Sequence, residues 1–370
     1  MSKIEIQEII DALKTVRYPG EEGNIVSNGM VQNDIVIDGN KVSFSIRFKK
    51  AKDPLHKSVI KAAESAILTF VSDEIDIQGN ITPIFPDPVP SKNTSVLPKV
   101  KNIIAVSSGK GGVGKSTVTA NLAVALSQMG YKVGLLDADI FGPSMPRMLN
   151  LEDAQPEVVS IDGHDYIQPA ENYGVKMLSI GFFVQKDSAI VWRGSMASNA
   201  LGQLITEGNW GELDYLLLDL PPGTSDIHLT IIQTVGLTGA IVVTTPQNVA
   251  LDDARKGISM FRDDKINVPI LGIVENMSWF TPAELPQNKY YIFGEEGGKK
   301  LAEELNVPLL GQLPLVQSVR ESADKGAPIA LNDETIMGLS FRKLAENVIS
   351  AVDKRNQQLP PTKKVEVTER

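Results

Sequence analysis

The stretch SSGKGGVGKST, residues 107–117, decides the fold of this chain. It follows the apolar run IIAVSS and precedes a pattern typical of a helix that ends at Gly130. A Gly-x4-Gly-Lys-Ser loop between a strand and a helix wraps a phosphate chain with its backbone N–H groups, and the helix N-terminus favours the negative charge. The stretch therefore predicts a nucleotide-binding loop.

The residue types of the loop predict which atoms contact the nucleotide. Lys115 would reach the β and γ phosphates, and the Ser116 hydroxyl would bind Mg²⁺. We expect the phosphates to be bound by Gly109, Lys110, Gly111, Gly112, Val113, Gly114, Lys115, Ser116 and Thr117.

A dinucleotide site is the alternative interpretation, because Gly109-x-Gly111-x-x-Gly114 also matches the dinucleotide fingerprint. Asp137 and Asp139 even follow at the distance of a ribose-binding acid. A dinucleotide loop, however, has no use for the Lys-Ser-Thr ending of the loop or for the second strand-end acid, Asp219. The pattern favours ATP or GTP.

The rest of the chain predicts the fold class. From 102 to 353, short apolar runs such as KVGLLDAD, DYLLLDLPPG and GAIVVTTP alternate with helix-like stretches. Strands covered on both faces have this composition, which predicts an α/β fold with a doubly wound, mostly parallel sheet. We expect a small α+β domain at 1–85, a proline-rich linker at 86–101 and a disordered tail at 354–370.

Composition excludes several classes of function. The 370 residues carry a formal net charge of −9, which argues against a nucleic-acid partner. No apolar stretch is long enough to span a membrane and the N-terminus lacks a signal-peptide pattern, so we expect a cytoplasmic protein without a membrane partner. The sequence contains no cysteine, which excludes disulfides and thiolate-ligated metals.

Lys110 is one lysine more than a phosphate loop requires. At the start of the loop its charge is placed to contact a nucleotide held by a second subunit, where it would stabilise the transferring phosphoryl group as an arginine finger does. We therefore predict a catalytic role for Lys110.

The sequence KGGVGKST resembles the deviant Walker A signature of the MinD/ParA/nitrogenase-reductase class. The resemblance implies a homodimer around two ATP molecules, with the first lysine crossing the interface. DADIFGPS resembles the first switch of the class, with Asp139, or alternatively Asp137, as the catalytic carboxylate that positions water. LLLDLPPGTSD places Asp219 like a Walker B acid that holds Mg²⁺. Residues 221–223 would then be the second switch, with the Gly223 amide near the γ-phosphate.

Two further assignments follow from the same resemblance. Asn276, after the run VPILGIV, would read the adenine edge. Arg320 and residues 325–329 would line the base and ribose pocket.

The motifs DIFGPSMPRML, WRGSMASNALGQL and the run from ENMSWF to VPLLGQLPL resemble the Mrp/ApbC-type iron–sulfur cluster carriers over residues 100–350. The N-terminal unit is similar to the small domain of iron–sulfur assembly factors. The resemblance implies an ATPase with ATP and Mg²⁺ as cofactors and assembly factors or apo-client proteins as partners. A positioning ATPase of the MinD/ParA kind and a ligase-like metabolic enzyme are the alternatives.

One departure from that family concerns the cluster itself. The family holds a [4Fe–4S] cluster between two subunits through a C-x-x-C pair from each, just after the ENMSWF position, where this chain reads TPAELPQNKYY. Asp53 stands where the small domain often has a cysteine. His56, His164 and His228 are scattered singly, so we assign no iron–sulfur ligand to this chain.

Overall fold

The computed structural model describes residues 4–19, 22–48, 53, 55–85, 96–140, 142–183, 194–282, 284–285, 287–361 and 364–365. The chain divides into two units, Met1–Asn93 and Thr94–Arg370, and each is considered by itself. Residues 86–95 of the expected linker lie outside the described residues. Its last two residues, Val100 and Lys101, begin a strand instead, because the apolar run that follows them continues the same extended backbone.

The small unit packs two helices on a three-stranded sheet. Its elements are α1 (Ile6–Leu13), β1 (Val36–Asp38), β2 (Lys41–Arg47), α2 (His56–Phe70) and β3 (Ile81–Ile84). β1 and β2 form a hairpin, whose turn has Gly39 at φ 65°, and β3 pairs parallel with β2. Ile9 and Leu13 of α1 pack with Phe44 and Ile46 of β2 in one buried cluster. The predicted small α+β domain is present.

The large unit alternates strands and helices. Its strands are β4 (Val100–Ser108), β5 (Val133–Asp137), β6 (Val158–Ile161), β7 (His164–Ile167), β8 (Ala170–Asn172), β9 (Val175–Ser179), β10 (Leu213–Asp219), β11 (Gly239–Thr244), β12 (Ile270–Glu275) and β13 (Leu309–Gln312). Its helices are α3 (Lys115–Gln128), α4 (Met145–Met148), α5 (Gly194–Thr206), α6 (Asp226–Thr234), α7 (Asn248–Arg262), α8 (Gly297–Glu304), α9 (Gln317–Asp324) and α10 (Ile336–Gln358).

Eight of these strands form one sheet in the order β13-β12-β11-β4-β10-β5-β9-β8. All neighbouring pairs are parallel except β8 and β9. β4 lies in the middle, and its neighbour β10 separates it from β5, so the carboxyl ends of these three strands meet at one edge. This topology confirms the predicted mostly parallel, doubly wound sheet.

Alternate residues of the central strand enter the cores on the two faces of the sheet. Ile104 and Val106 pack with α3 and α10, whereas Ile103 and Ala105 pack with α5 and α6. The strand reads as a continuous apolar run because both of its faces are covered. The helices therefore hold the carboxyl end of β4, and the loop that follows it, in a rigid setting.

The C-terminal region is more ordered than expected. The predicted disordered tail from 354 is wrong for residues 354–358, because α10 continues to Gln358. Val352 and Arg355 extend the buried stripe of this helix, and Arg355 Nη2 donates to the Pro360 carbonyl at 2.8 Å. Val365 packs against the core, and its N–H donates to the Ile232 carbonyl at 3.3 Å. Residues 366–370 lie outside the described residues.

Candidate nucleotide-binding site

The loop after β4 has the backbone shape that its glycines allow. β4 ends at Ser108, α3 begins at Lys115, and both Gly112 and Gly114 have φ 81°. This left-handed region strains a residue with a Cβ atom, so glycine is favoured at both positions. The loop delivers its N–H groups to the N-terminus of a 14-residue helix, which is a favourable site for an anion.

A cavity of about 230 Å³ opens over this loop. Most of the predicted phosphate-binding residues line it, together with residues of both predicted switches and two residues, Ser108 and Met148, to which the sequence assigned no role. The lining comprises Ser108, Lys110, Gly111, Gly112, Val113, Gly114, Lys115, Ser116, Thr117, Asp139, Ser144, Met148 and Pro222. The structure therefore brings the loop and the first predicted switch to the same space.

Lys115, Ser116 and Asp219 form a buried network beneath the cavity. Lys115 Nζ lies 2.6 Å from Asp219 Oδ2, and the exposed fractions of the two side chains are 5% and 0%. Ser116 Oγ donates to the same carboxylate oxygen at 2.7 Å. A hydroxyl and a carboxylate oxygen are ligands that suit Mg²⁺. The loop and the end of β10 thus meet as predicted for a magnesium–phosphate site.

Asp137 and Asp139 occupy different environments. Asp139 lines the cavity, whereas Asp137 is fully buried behind it. The Asp137 carboxylate accepts from the Ser179 hydroxyl at 3.0 Å and from the Met145 and Asp139 amides at 3.3 and 3.2 Å. Burial, and then the charge of Asp219, raise the pKa of Asp137 to about 7. The geometry favours Asp139 over Asp137 as the carboxylate that can reach a ligand.

Lys110 lines the same cavity as the rest of the loop, with its side chain partly exposed. Its carbonyl accepts from the Ser108 hydroxyl at 3.0 Å, which shapes the start of the loop. Within the described part of the chain, no acidic side chain forms an ion pair with it. Its charge is therefore directed at neither a neighbouring carboxylate nor the core.

Gly109 and Asn276 support the loop from behind and are not among the residues that line the cavity. A Cβ atom at Gly109 would overlap the backbone of Asp253 in α7. Asn276 Nδ2 donates to the Val113 carbonyl at 2.8 Å, and a Cβ atom at Gly114 would overlap this amide. The structure thus gives Asn276 a contact with the loop that the sequence did not predict.

Gly223 and Arg320 are engaged within the protein. The Gly223 N–H donates to the Ser108 carbonyl at 2.8 Å, which links the predicted second switch to the end of β4. Arg320 is exposed and pairs with Asp324 at 2.9 Å and with Glu321 at 3.3 Å. Neither Arg320 nor residues 325–329 line the cavity, so the structure does not bring the predicted base and ribose residues to it.

His228 is a buried group near the loop to which the sequence assigned no role. Its Nδ1 accepts from the Ser225 N–H at 3.2 Å, and its Nε2 is buried with no hydrogen-bond partner among the described residues. Burial first, and then the positive charge of Lys115, lower the pKa of His228 to about 4 against the opposing Ser225 hydrogen bond. A neutral histidine therefore lies beneath the site.

A second, larger cavity lies far from this chemistry. It has a volume of about 420 Å³ and is lined by residues at the amino ends of β5, β9 and β10. Its lysines are engaged: Lys132 pairs with Glu212 at 2.9 Å, and Lys176 Nζ donates to the Trp210 carbonyl at 3.1 Å. Ligands of open α/β sheets bind at the carboxyl ends of the strands, so the cavity over the loop is the functional candidate.

The segment at the expected cluster-binding position is bounded by an isolated antiparallel bridge. Phe280 and Tyr290 exchange backbone hydrogen bonds of 2.8 Å, and Lys289 Nζ lies 4.0 Å from the centre of the Trp279 ring. Tyr290 and Tyr291 are exposed. In the part of the chain that the structure describes, no three His, Asp or Glu side chains are grouped as metal ligands.

A phosphate loop at the end of a central parallel strand, with the acid of the adjacent strand beneath it, defines a P-loop NTPase. Residues 99–349 match the family described as NUBPL iron-transfer P-loop NTPase, and this chain belongs to that family. Residues 6–75 match the iron–sulfur cluster assembly protein family. The resemblance drawn from the motifs is confirmed for both units.

Individual relatives agree with this assignment. The iron–sulfur cluster carrier protein of Synechocystis is 42% identical over 345 residues, which are 93% of this chain and 97% of the relative. That of Escherichia coli K12 is 50% identical over 73% of this chain and 72% of the relative. A nucleotide-binding protein of Archaeoglobus fulgidus, solved in complex with ADP, is 36% identical with a TM-score of 0.55, covering 64% of this chain and 91% of that chain.

No helix among the described residues combines the length and the apolar character needed to cross a membrane.

Proposed function

We propose that this protein is an ATP-binding and ATP-hydrolysing switch that works as a homodimer in iron–sulfur cluster assembly or transfer. The observation that supports this proposal best is the grouping of Lys110, Lys115, Ser116 and Asp139 around one cavity, with Asp219 buried beneath it. Each of these residue types has a separate task in phosphoryl transfer, and the chain supplies all of them at one edge of its sheet.

The phosphates would bind at the N-terminus of α3. The loop N–H groups and Lys115 would neutralise their charge, while Ser116 and Asp219 would hold Mg²⁺. When bound, the metal neutralises the charge that develops between the β and γ phosphates. The residues present fit this ion, because the Ser116 hydroxyl already lies 2.7 Å from Asp219 Oδ2, so that two oxygen ligands are held side by side.

Hydrolysis would depend on Asp139 and Lys110. Asp139 lies on the cavity wall, where it would orient the attacking water. Lys110 would contact the nucleotide of the second subunit and stabilise the charge of the transition state. Asn276 would read adenine through its Oδ1 atom, since its Nδ2 atom is bound to the Val113 carbonyl.

The cluster is cargo that this chain is not equipped to bind in the usual way. Relatives carry the name iron–sulfur cluster carrier protein, but this sequence contains no cysteine. A [4Fe–4S] cluster is held by thiolates, so the residues present do not fit it. We propose that the protein acts on assembly factors or apo-client proteins in the cytoplasm, which would supply the thiolates themselves.

Two measurements on the purified full chain test this function. Calorimetric titration with ATP and Mg²⁺ is expected to show saturable binding, and sedimentation is expected to show an ATP-dependent dimer. Anaerobic reconstitution with iron and sulfide is expected to leave the protein without a stable cluster. About four irons per dimer, the content of one [4Fe–4S] cluster, would contradict the proposed division of labour with partners. Failure to bind ATP would contradict the switch itself.

A further inference from the structure

Asp219 is surrounded by three side chains from a single turn and a half of α3. Its Oδ2 atom accepts from Lys115 and Ser116, and its Oδ1 atom accepts from Thr119 Oγ1 at 2.8 Å. Thr119 is fully buried and is not among the residues that line the cavity. The two carboxylate oxygens of Asp219 therefore have different partners: one faces the loop, and the other faces a threonine that no ligand can reach.

The Thr119 hydroxyl has two acceptors within reach but only one proton. Its Oγ1 lies 2.9 Å from the Lys115 carbonyl and 2.8 Å from Asp219 Oδ1. A charged carboxylate is the stronger acceptor, and hydrogen bonds to charged groups contribute more than neutral ones. The hydroxyl therefore donates its proton to Asp219 Oδ1, and this hydrogen bond fixes the rotation of the carboxylate about the Cβ–Cγ bond.

Phosphate and Mg²⁺ would have to bind the same atoms that are paired with one another in this network. Phosphate would draw Lys115 Nζ towards the cavity, and Mg²⁺ would take its place beside Ser116 and Asp219 Oδ2. Phosphate without metal would leave the buried carboxylate unpaired next to another anion, which is costly. Metal without phosphate would leave the buried ammonium of Lys115 unpaired.

We propose that Thr119 is a positioning residue that keeps Asp219 Oδ2 directed at Ser116 while this oxygen exchanges Lys115 for Mg²⁺. The proposal rests on the nucleotide-binding function given above and adds a residue and a consequence to it. Because one oxygen serves both the lysine and the metal, nucleotide and Mg²⁺ each raise the affinity of the other by the same factor. That coupling depends on Thr119.

The test measures the affinity for ADP by calorimetry on the full chain, once with excess Mg²⁺ and once with EDTA. In the unchanged protein we expect Mg²⁺ to tighten ADP binding by at least about fivefold, the lower end of usual coupling between two ligands. Thr119→Val, which keeps the shape and loses the hydroxyl, is expected to weaken binding about tenfold with Mg²⁺ and to leave it nearly unchanged in EDTA. Thr119→Ser keeps the hydroxyl and should restore the coupling.

The outcomes separate this proposal from the function on which it rests. If ADP does not bind the unchanged protein at all, the nucleotide-binding function fails. If ADP binds but Thr119→Val weakens it equally with Mg²⁺ and with EDTA, Thr119 has only a structural role and the positioning proposal is overturned. The positioning proposal is also overturned if Thr119→Ser behaves like Thr119→Val while both variants keep the melting temperature of the unchanged protein.

Discussion

Asp137 and Asp219 lie side by side at the carboxyl ends of neighbouring parallel strands, and both are fully buried. Lys115 supplies a counter-charge to Asp219 at 2.6 Å, whereas the partners of Asp137 are a hydroxyl and two backbone amides. Burial and the neighbouring negative charge raise the pKa of Asp137 to about 7. Two identical side chains at one level of the sheet thus have different partners, a cation for Asp219 and neutral donors for Asp137.

The first prediction concerns the stability that follows from this difference. The pKa of Asp137 is about 7 in the folded protein, whereas the ordinary value of 3.8 applies to the unfolded chain. The stability that the protonated side chain contributes is therefore complete below pH 3.8 and is lost as the pH rises through 7. Without nucleotide, we expect this group to lower the free energy of unfolding by about 4 kcal/mol across that range. Asp137→Asn should remove this part of the pH dependence in urea denaturation.

Asp264→Asn, at an exposed position, is the matched control for that experiment and should keep the pH profile of the unchanged protein. An Asp137→Asn profile that parallels the unchanged one would show that Asp137 is ionised throughout this range.

A second prediction concerns His228, for which the sign is opposite. Its pKa is lowered from 6.5 to about 4, so between these pH values the histidine binds a proton in the unfolded chain but not in the folded protein. The stability that the neutral His228 contributes is therefore complete above pH 6.5 and is lost as the pH drops through 4, by about 3 kcal/mol in total. His228→Gln should flatten the unfolding free energy between pH 6.5 and 4, whereas His164→Gln, at an exposed position, should leave it unchanged. Equal acid sensitivity of both variants would be evidence against a neutral, buried His228.

The third prediction tests the phosphate loop. Lys115→Ala is expected to weaken ATP binding about 10- to 100-fold, because the variant loses a charged hydrogen-bond donor to phosphate. It is also expected to lower the melting temperature, since Asp219 remains as an unpaired buried charge. Calorimetry at low temperature separates the two effects, and Lys132→Ala, an exposed lysine with a surface partner, is the control. Near-normal affinity of the Lys115→Ala variant for ATP would contradict the assignment of residues 109–117 as a phosphate-binding loop.

The fourth prediction separates Lys110 from Lys115. Lys110→Ala should retain ATP binding but lose ATP-dependent dimerisation and about 10³-fold or more in hydrolysis rate, as when a finger-type cation is removed. An Asp139→Ala subunit still supplies an intact Lys110, so mixing it with Lys110→Ala subunits should partly restore hydrolysis. Heterodimers that form but stay inactive would assign Lys110 to its own subunit.

Much of this site could be predicted from the sequence because its parts follow strand ends. Parallel strands bring their carboxyl ends to one edge, so the loop after β4, Asp139 after β5 and Asp219 at the end of β10 had to meet there. Their separate positions along the chain do not matter once the sheet order is known. For the small unit, the sequence predicted only the α+β class, because its short strands leave their order in the sheet open.

The contacts that the sequence did not predict depend on packing in three dimensions. Thr119 looks like an ordinary helical threonine, and only its position four residues after Lys115, on the same helix face, hints at a shared partner. Asn276 was expected at the base, yet its amide nitrogen is bound to the loop, because β12 ends directly behind Val113. Val365 was assigned to a disordered tail, since two valines among charged residues are too few to give a periodic signal.

The close approach between the phosphate loop and α7 changes how substitutions at Gly109 are to be understood. Any larger side chain there would collide with the Asp253 backbone, although residue 109 is not on the cavity wall. A library of variants at this position would return glycine alone and would suggest a ligand contact. The intolerance would come instead from a helix that leaves no room behind the loop. Loss of function at Gly109 is thus expected to reflect a displaced α7 rather than a missing ligand contact.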